Sequence, residues 1–164
     1  MTQIFNPRQV ILVSSRAETD VMGKIEVKDN LFTLSWHMPV SFDPPLYAFS
    51  TGKSRFSTEL IQKSKVFVVN FLSSDHEDAA VFCGSHTGKH MDKFKECDLE
   101  KKEADTVDCP VIEGASYIEC SVVDEIEAGD HIIIIGKINK SVDLSLKDRL
   151  FQLPSRGGYQ FGGL

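Results

Sequence analysis

Hydrophobic positions along this chain fall mostly into short runs that are typical of β-strands. Seven runs are rich in β-branched or aromatic residues, and they cover 10–14, 22–27, 31–35, 46–50, 66–71, 117–123 and 131–138. Seven short strands predict a barrel or a sandwich of antiparallel strands rather than a helical protein.

Only two stretches have a helical pattern, 57–64 and 75–83. Ser74 and Glu77 have the spacing of a capping box, which predicts that they open the second helix. The helices interrupt the strands and do not alternate with them, which disfavours a doubly wound parallel sheet. The pattern favours a mainly β fold, a Greek-key barrel with inserted helices.

Three further segments carry expectations of their own. The run 132–135 is apolar at every position, which predicts a strand covered on one face by the core and on the other by a helix or a second subunit. The stretch 97–110 is acidic, contains lysines and has no clear period, so it predicts a solvated loop or a frayed helix. The tail 155–164 carries two Gly-Gly pairs, which predicts either disorder or anchoring by Tyr159 and Phe161 alone.

Composition is that of one ordinary domain spanning 1–164, with 41% apolar and 26% charged residues. No apolar run approaches the roughly 18 residues of a membrane span, and residues 1–8 do not resemble a secretory signal, so we expect a cytoplasmic protein that binds no membrane. A net charge of −6 argues against nucleic acid as a partner. The four cysteines are too widely spaced for a CxxC pair and are expected to be free thiols.

A candidate phosphate site follows the strand 46–50. Two cations, Lys53 and Arg55, and four hydroxyl residues lie within 51–58, just before a predicted helix. Charge-assisted donors and the free amides of a helix N-terminus together suit a phosphate. An ordinary polar turn with solvated Lys53 and Arg55 is the alternative.

Trp36 and His37 lie at the end of a predicted strand and are candidates for stacking against a planar aromatic ligand. The alternative is a tryptophan that simply packs over the barrel mouth. His131 opens the isoleucine-rich strand and is a candidate hydrogen-bond donor, or equally a half-buried histidine without a ligand.

The stretch 81–94 is not a Walker loop, because only three residues separate Gly84 from Gly88 and no Ser or Thr follows Lys89. The spacing of its cysteines and histidines fits no common zinc site, and no metal is expected. Gly88 and its neighbours instead predict a loop that presents Lys89 or Lys93 to an anionic group.

Taken together, these motifs resemble the flavin reductase-like, FMN-binding split-barrel family, and within it most closely the flavoredoxins. The resemblance spans about 6–139 and rests on the order of six marks: NLFTLSWHMPVSFDPPL at 30–46, KSRFST at 53–58, VFVVNF at 66–71, the CG, TGK and DKF elements within 83–94, YIEC at 117–120 and HIIIIGKI at 131–138.

This resemblance implies a six-stranded Greek-key split barrel, a homodimer and FMN near the subunit interface. By position, the isoalloxazine would be lined by Asn30, Thr33, Leu34, Ser35, Trp36 and His37. The phosphate would be surrounded by Ser50, Thr51, Lys53, Ser54, Arg55, Ser57 and Thr58. Lys93 and His131 would also approach the flavin, and Tyr159 or Phe161 would cover it.

The activity implied is FMN-dependent redox chemistry, with electrons moving between NAD(P)H or another redox protein and FMN. No G-x-G-x-x-G fingerprint marks a separate dinucleotide domain, so NAD(P)H would dock beside the flavin. An electron carrier of the flavoredoxin kind, with tightly held FMN and no nicotinamide oxidation, is the alternative. A binder on the related pyridoxine-phosphate-oxidase barrel fits the motifs less well.

Overall fold

The computed structural model describes residues 3–145, 148–154 and 160–163. The strands of this part are β1 Arg8–Gln9, β2 Ile11–Val21, β3 Lys24–Leu34, β4 His37–Phe42, β5 Pro45–Gly52, β6 Val66–Phe71, β7 Lys101–Glu103, β8 Pro110–Ile112, β9 Ser116–Ala128, β10 His131–Val142, β11 Leu150–Leu153 and β12 Gln160–Gly163. Its α-helices are α1 Phe56–Ser64, α2 Glu77–Ser85 and α3 Lys93–Glu96, and 3-10 turns cover Gln3–Phe5 and Ser74–His76. No described helix has the length and apolar content needed to cross a bilayer.

One antiparallel sheet dominates the described residues, with the strand order β3-β2-β6-β9-β10-β5-β4. Two small sheets flank it, β1-β11-β12 and β7-β8. The prediction of a mainly β fold with inserted helices is confirmed. The large sheet has seven described strands because His37–Phe42 pairs with β5 as an additional edge strand.

The hydrophobic core lies on both faces of β2. Ile11 and Val13 pack into the barrel with residues of the other long strands, whereas Val10 and Leu12 pack on the opposite side against α2 and α3. At the centre of the barrel, Gly136 permits a close approach, because a Cβ there would lie 2.5 Å from the Phe67 ring. Because Val10 and Leu12 point away from the barrel interior, α2 and α3 lie against the outside of β2 and β3.

Two predicted strands, 22–27 and 31–35, are one continuous strand, β3. Met22 and Gly23 form the turn that precedes it, with φ of 56° and 84°. Positive φ at both central residues is the geometry of a tight hairpin, and it joins β2 to β3. Met22 therefore belongs to a turn and not to a strand.

The predicted capping box of the second helix is wrong. The Ser74 hydroxyl donates to the Asp148 carboxylate, and α2 begins only at Glu77, after a 3-10 turn. The contact with a residue 74 positions away replaces the local cap.

The stretch 97–110 is not a solvated loop. It contains β7, and Val107 and Cys109 are buried in a cluster with residues of β6 and β8. The backbone amides of Asp105 and Thr106 donate to the carboxylate of Glu119, which is fully buried. This buried anchor explains why so polar a segment is ordered.

The apolar run in β10 has two different faces. Ile132 and Ile134 are buried in the barrel core, whereas Ile133 and Ile135 are only partly buried on the outside. No described helix covers that outer face, on which Ile133 borders a shallow apolar cavity together with Met38 and Tyr47.

Candidate functional site

A cavity of about 820 Å³ opens where several elements end. The C-terminal ends of β3 and β5, the start of α1, the end of α2 with its following loop, the start of β10 and the pair β1-β11 all reach it. Its lining residues are Asn6, Arg8, Phe32, Thr33, Leu34, Ser35, Trp36, Ser50, Thr51, Gly52, Arg55, Phe56, Ser57, Cys83, Gly84, Ser85, His86, Thr87, Gly88, Lys93, His131 and Gln152. A volume in this range is typical of small-molecule sites.

The junction of β5 and α1 supplies a cationic, donor-rich wall. Arg55 precedes α1 with an extended backbone, so the first amides of the helix face the same region as its guanidinium. Arg55 is exposed and forms no ion pair with any described residue. Helix N-terminal amides and an unpaired arginine together favour an anion.

Asn30 connects two walls of the cavity. It is 1% exposed, and its amide nitrogen donates to Ser57 Oγ at 2.6 Å. Because the Ser57 oxygen accepts this bond, its own proton is available to a ligand. Gly88 lies so close that a Cβ there would be 1.9 Å from Asn30 Oδ1, and that buried oxygen has no partner among the described residues.

Two flat rings form another part of the wall. Trp36 stacks on His131 with ring centroids 5.1 Å apart and an interplanar angle of 29°. His131 Nδ1 lies 2.7 Å from Asp130 Oδ1, and since a carboxylate only accepts, Nδ1 is the donor of this hydrogen bond. The stacked rings of Trp36 and His131 therefore present an aromatic edge that includes the imidazole nitrogen Nε2.

Lys93 lies at the base of the cavity. Its Nζ donates to the carbonyl oxygens of Leu31 and Cys83, both at 2.8 Å, and so ties β3 to the end of α2. Burial lowers the pKa of this lysine, partly offset by the nearby thiols of Cys83 and Cys97. No carboxylate pairs with Lys93 among the described residues.

The β1-β11 pair brings a second arginine to the cavity. Arg8 and Gln152 are register partners, and Arg8 Nη2 donates to Gln152 Oε1 at 2.9 Å. The Ser35 hydroxyl donates to the same oxygen at 3.1 Å. Sequence reasoning missed Arg8 and Gln152, because the two residues are 144 positions apart and no local motif links them.

Ten of the residues expected at the site line the cavity: Thr33, Leu34, Ser35, Trp36, Ser50, Thr51, Arg55, Ser57, Lys93 and His131. Five described candidates do not line it directly but lie near its walls or beyond them: Asn30, His37, Lys53, Ser54 and Thr58. The residues that sequence reasoning did not place there belong mainly to the loop after α2 and to β1 and β11.

Contacts explain why three candidates face elsewhere. Lys53 Nζ pairs with the Glu127 carboxylate at 2.8 Å, and the Thr58 hydroxyl donates to the Gly52 carbonyl at 3.0 Å. His37 lies on the far side of Trp36, where Nε2 donates to the Gln9 carbonyl and Nδ1 accepts from Tyr47. Burial lowers the pKa of His37, which favours this neutral ring.

Phe161 is in β12, where it packs against the cluster that contains Leu12 and Phe94 and does not line the cavity. Tyr159 lies outside the described residues. All four cysteines are thiols, and the Sγ atoms of Cys83 and Cys97 are 3.8 Å apart. Within the described ranges, no three His, Cys, Asp or Glu side chains are grouped as metal ligands.

Comparison with known proteins identifies the family. The model of the flavin reductase like domain matches residues 4–154, nearly the whole chain. The chain belongs to the flavin reductase-like family. The resemblance inferred from the sequence motifs is thereby confirmed.

Curated relatives of this flavin reductase-like chain include a flavin reductase from Pseudomonas putida, 35% identical over 121 residues, or 73% of this chain and 66% of that protein. A probable flavin reductase from Rhizobium meliloti is 32% identical over 129 residues, or 78% of this chain and 39% of that protein. The first relatives in rank are matched over 63%, 40% and 39% of their own lengths, so the chain spans only part of them.

Solved structures show the same fold. An FMN-binding protein from Thermus thermophilus with bound p-hydroxybenzaldehyde has a TM-score of 0.83 at 23% identity, covering 99% of this chain and 89% of that one. Flavoredoxin from Methanosarcina acetivorans has a TM-score of 0.81 at 23% identity, covering 98% and 86%. This flavin reductase-like chain therefore has the split-barrel architecture.

Proposed function

We propose that this protein binds FMN in the cavity and acts as an FMN-dependent oxidoreductase, passing electrons between NAD(P)H and the flavin. The observation that carries the proposal is the joining, in one cavity, of an unpaired arginine at the start of α1 with the stacked rings of Trp36 and His131. A flavin mononucleotide has the matching parts, a phosphate and a planar heteroaromatic ring.

Three features of the chain fit this cofactor. Arg55, the Ser57 hydroxyl and the first amides of α1 would hold the phosphate, since all of them donate. Trp36 offers an apolar ring face to the isoalloxazine. The buried Asn30 oxygen beside Gly88 has no partner among the described residues, so it is available to a donor of the ligand.

When bound, FMN supplies the hydride and electron chemistry that amino-acid side chains lack. The protein contributes a positive charge at the cavity and a fixed arrangement of the elements that form its wall. Lys93 places a buried cation at the cavity without a carboxylate to neutralise it, which stabilises negative charge on a neighbouring ligand. Its two carbonyl partners hold β3 and the end of α2 at a fixed separation, so the wall is preorganised.

The proposal extends to a second copy of the chain. The outer face of β10 carries Ile133 and Ile135, and Met38 on β4, which is largely exposed, borders the same shallow cavity as Ile133. Apolar side chains grouped on one strand face favour burial against a partner. A homodimer that covers this face is the simplest assembly.

The test is steady-state oxidation of NADH and NADPH by purified protein, with and without added free FMN. We expect nicotinamide oxidation that depends on the protein and on FMN. Trp36→Leu and Asn30→Ala, which remove a ring face and a buried acceptor, should reduce the rate. Bound FMN with no oxidation of either nucleotide would contradict NAD(P)H as the donor and leave the flavoredoxin-like electron carrier.

A further inference from the structure

Two of the four cysteines lie in contact with each other beside the cavity. Cys83 is near the end of α2 and lines the cavity, whereas Cys97 follows directly after α3. Their Sγ atoms are 3.8 Å apart, so the two side chains point toward each other. The S–S bond of a disulfide is about 2.05 Å long, so a further approach of roughly 1.8 Å would join the two sulfur atoms.

The other two cysteines are arranged differently. Cys109 and Cys120 are fully buried and belong to two separate hydrophobic clusters, while Cys83 and Cys97 share a third. All four cysteines are described, and among them only Cys83 and Cys97 are in contact. The contact is therefore a feature of one place in the fold, the base of the cavity.

The two thiols of this pair differ in access. Cys83 is 2% exposed, whereas Cys97 is only partly buried at the edge of its cluster. Burial raises the pKa of both thiols, that of Cys83 to about 12. For Cys97, a hydrogen bond from the Cys83 thiol and the charge of Lys93 offset part of this effect, whereas Glu96 adds to it. Cys97 is thus the thiol that a reagent from solvent reaches first and that more readily forms a thiolate.

The segment between the two cysteines forms one wall of the cavity. Its lining residues are Gly84, Ser85, His86, Thr87, Gly88 and Lys93. Lys93 Nζ donates to the Cys83 carbonyl at 2.8 Å, so the position of Cys83 is coupled to that of the buried cation. A Cβ at Gly88 would lie 1.9 Å from Asn30 Oδ1, so the wall has no room to move toward Asn30. A bond that draws Cys83 and Cys97 together therefore disturbs the contacts that shape the cavity.

We propose that Cys83 and Cys97 form an oxidation site, at which a peroxide converts the two thiols into an intramolecular disulfide and thereby alters the cavity. As a thiolate, the Cys97 sulfur attacks one oxygen of hydrogen peroxide, the O–O bond breaks and hydroxide leaves, which gives a sulfenic acid. The Cys83 sulfur then attacks the Cys97 sulfur, the S–S bond forms, the S–O bond breaks and a second hydroxide leaves. The two thiol protons convert both hydroxides to water, so two thiols and one hydrogen peroxide give one disulfide and two waters.

The test of the disulfide is treatment of the flavin-free and the FMN-loaded protein with hydrogen peroxide, followed by mass spectrometry under non-reducing conditions. We expect the intact chain to lose two hydrogens and a proteolytic digest to contain the Cys83 and Cys97 peptides joined to each other. Dithiothreitol should reverse both changes. Cys97→Ser should not form the bridge, whereas Cys109→Ala, the matched control, should form it as the wild type does.

The effect on the cavity, which rests on the proposed function, is measured by FMN titration of the reduced and the oxidised protein. We expect oxidation to weaken FMN binding by the wild type several-fold, with recovery after dithiothreitol, because the link from Lys93 to the Cys83 carbonyl is disturbed. The same peroxide treatment should leave the FMN affinity of Cys97→Ser unchanged.

Three results would overturn the proposal: thiols that stay reduced in peroxide, oxidation of Cys97 to a sulfinic acid without a bridge to Cys83, or equal FMN affinity before and after the disulfide forms. If neither the reduced nor the oxidised protein binds FMN, the proposed function fails, and the digest of the flavin-free protein still tests the disulfide.

Discussion

At the scale of single residues, Lys53 and Arg55 show how two similar cations acquire different roles. They are two positions apart, and the sequence motif assigns both to one phosphate. The Lys53 ammonium pairs with Glu127, with 40% of the lysine side chain exposed, whereas Arg55 lines the cavity and pairs with no described carboxylate. An exposed ion pair contributes little, so Lys53 is expected to be dispensable for the ligand.

Replacing Arg55 by Ala should weaken FMN binding by roughly ten-fold to a hundred-fold, because one or two charge-assisted hydrogen bonds to the phosphate are lost. Lys53→Ala is the matched control and should bind FMN as the wild type does. Riboflavin lacks the phosphate and should bind all three proteins alike. Fluorescence titration measures these affinities, and equal FMN affinity for Arg55→Ala and wild type would place the phosphate elsewhere.

At the scale of elements, β10 has one face in the core and one face toward solvent. We expect the wild type to be a dimer by light scattering, and Ile133→Asp to shift it toward monomer, because a carboxylate at the interface would be desolvated. Ile25→Asp is the control, since Ile25 is 71% exposed on the distant part of β3. A monomeric wild type, or an equal effect of the two substitutions, would contradict an interface on this face.

Local sequence predicts part of the secondary structure and part of the candidate site. Positions of most strands, helix α1 and the residues at 50–58 follow from local periodicity and spacing, and the structure brings Arg55 and Ser57 to one cavity as expected. Contacts between distant positions carry no local signal. The pairing of Arg8 with Gln152 and the bond from Ser74 to Asp148 depend on the packed fold, so the first was missed and the second replaced a predicted cap.

At the scale of the whole molecule, the chain is acidic, with a net charge of −6. Three cations nevertheless line one cavity, Arg8, Arg55 and Lys93, and none of them pairs with a described carboxylate. Elsewhere several described lysines and arginines form ion pairs, such as Lys65 with Glu125. The cavity is thus an electropositive site in an acidic protein. Its field favours an anionic ligand, which agrees with a flavin phosphate and with the negative charge of reduced flavin.

The most direct test of flavin binding is the identity of the molecule that the purified protein holds. Denaturing the protein and analysing the released material by absorbance and mass spectrometry should give FMN, because the β5-α1 junction provides a compact seat for one terminal phosphate. Protein purified without cofactor should take up added FMN to one molecule per chain. A colourless protein that fails to bind added FMN would contradict the assignment of this cavity to a flavin.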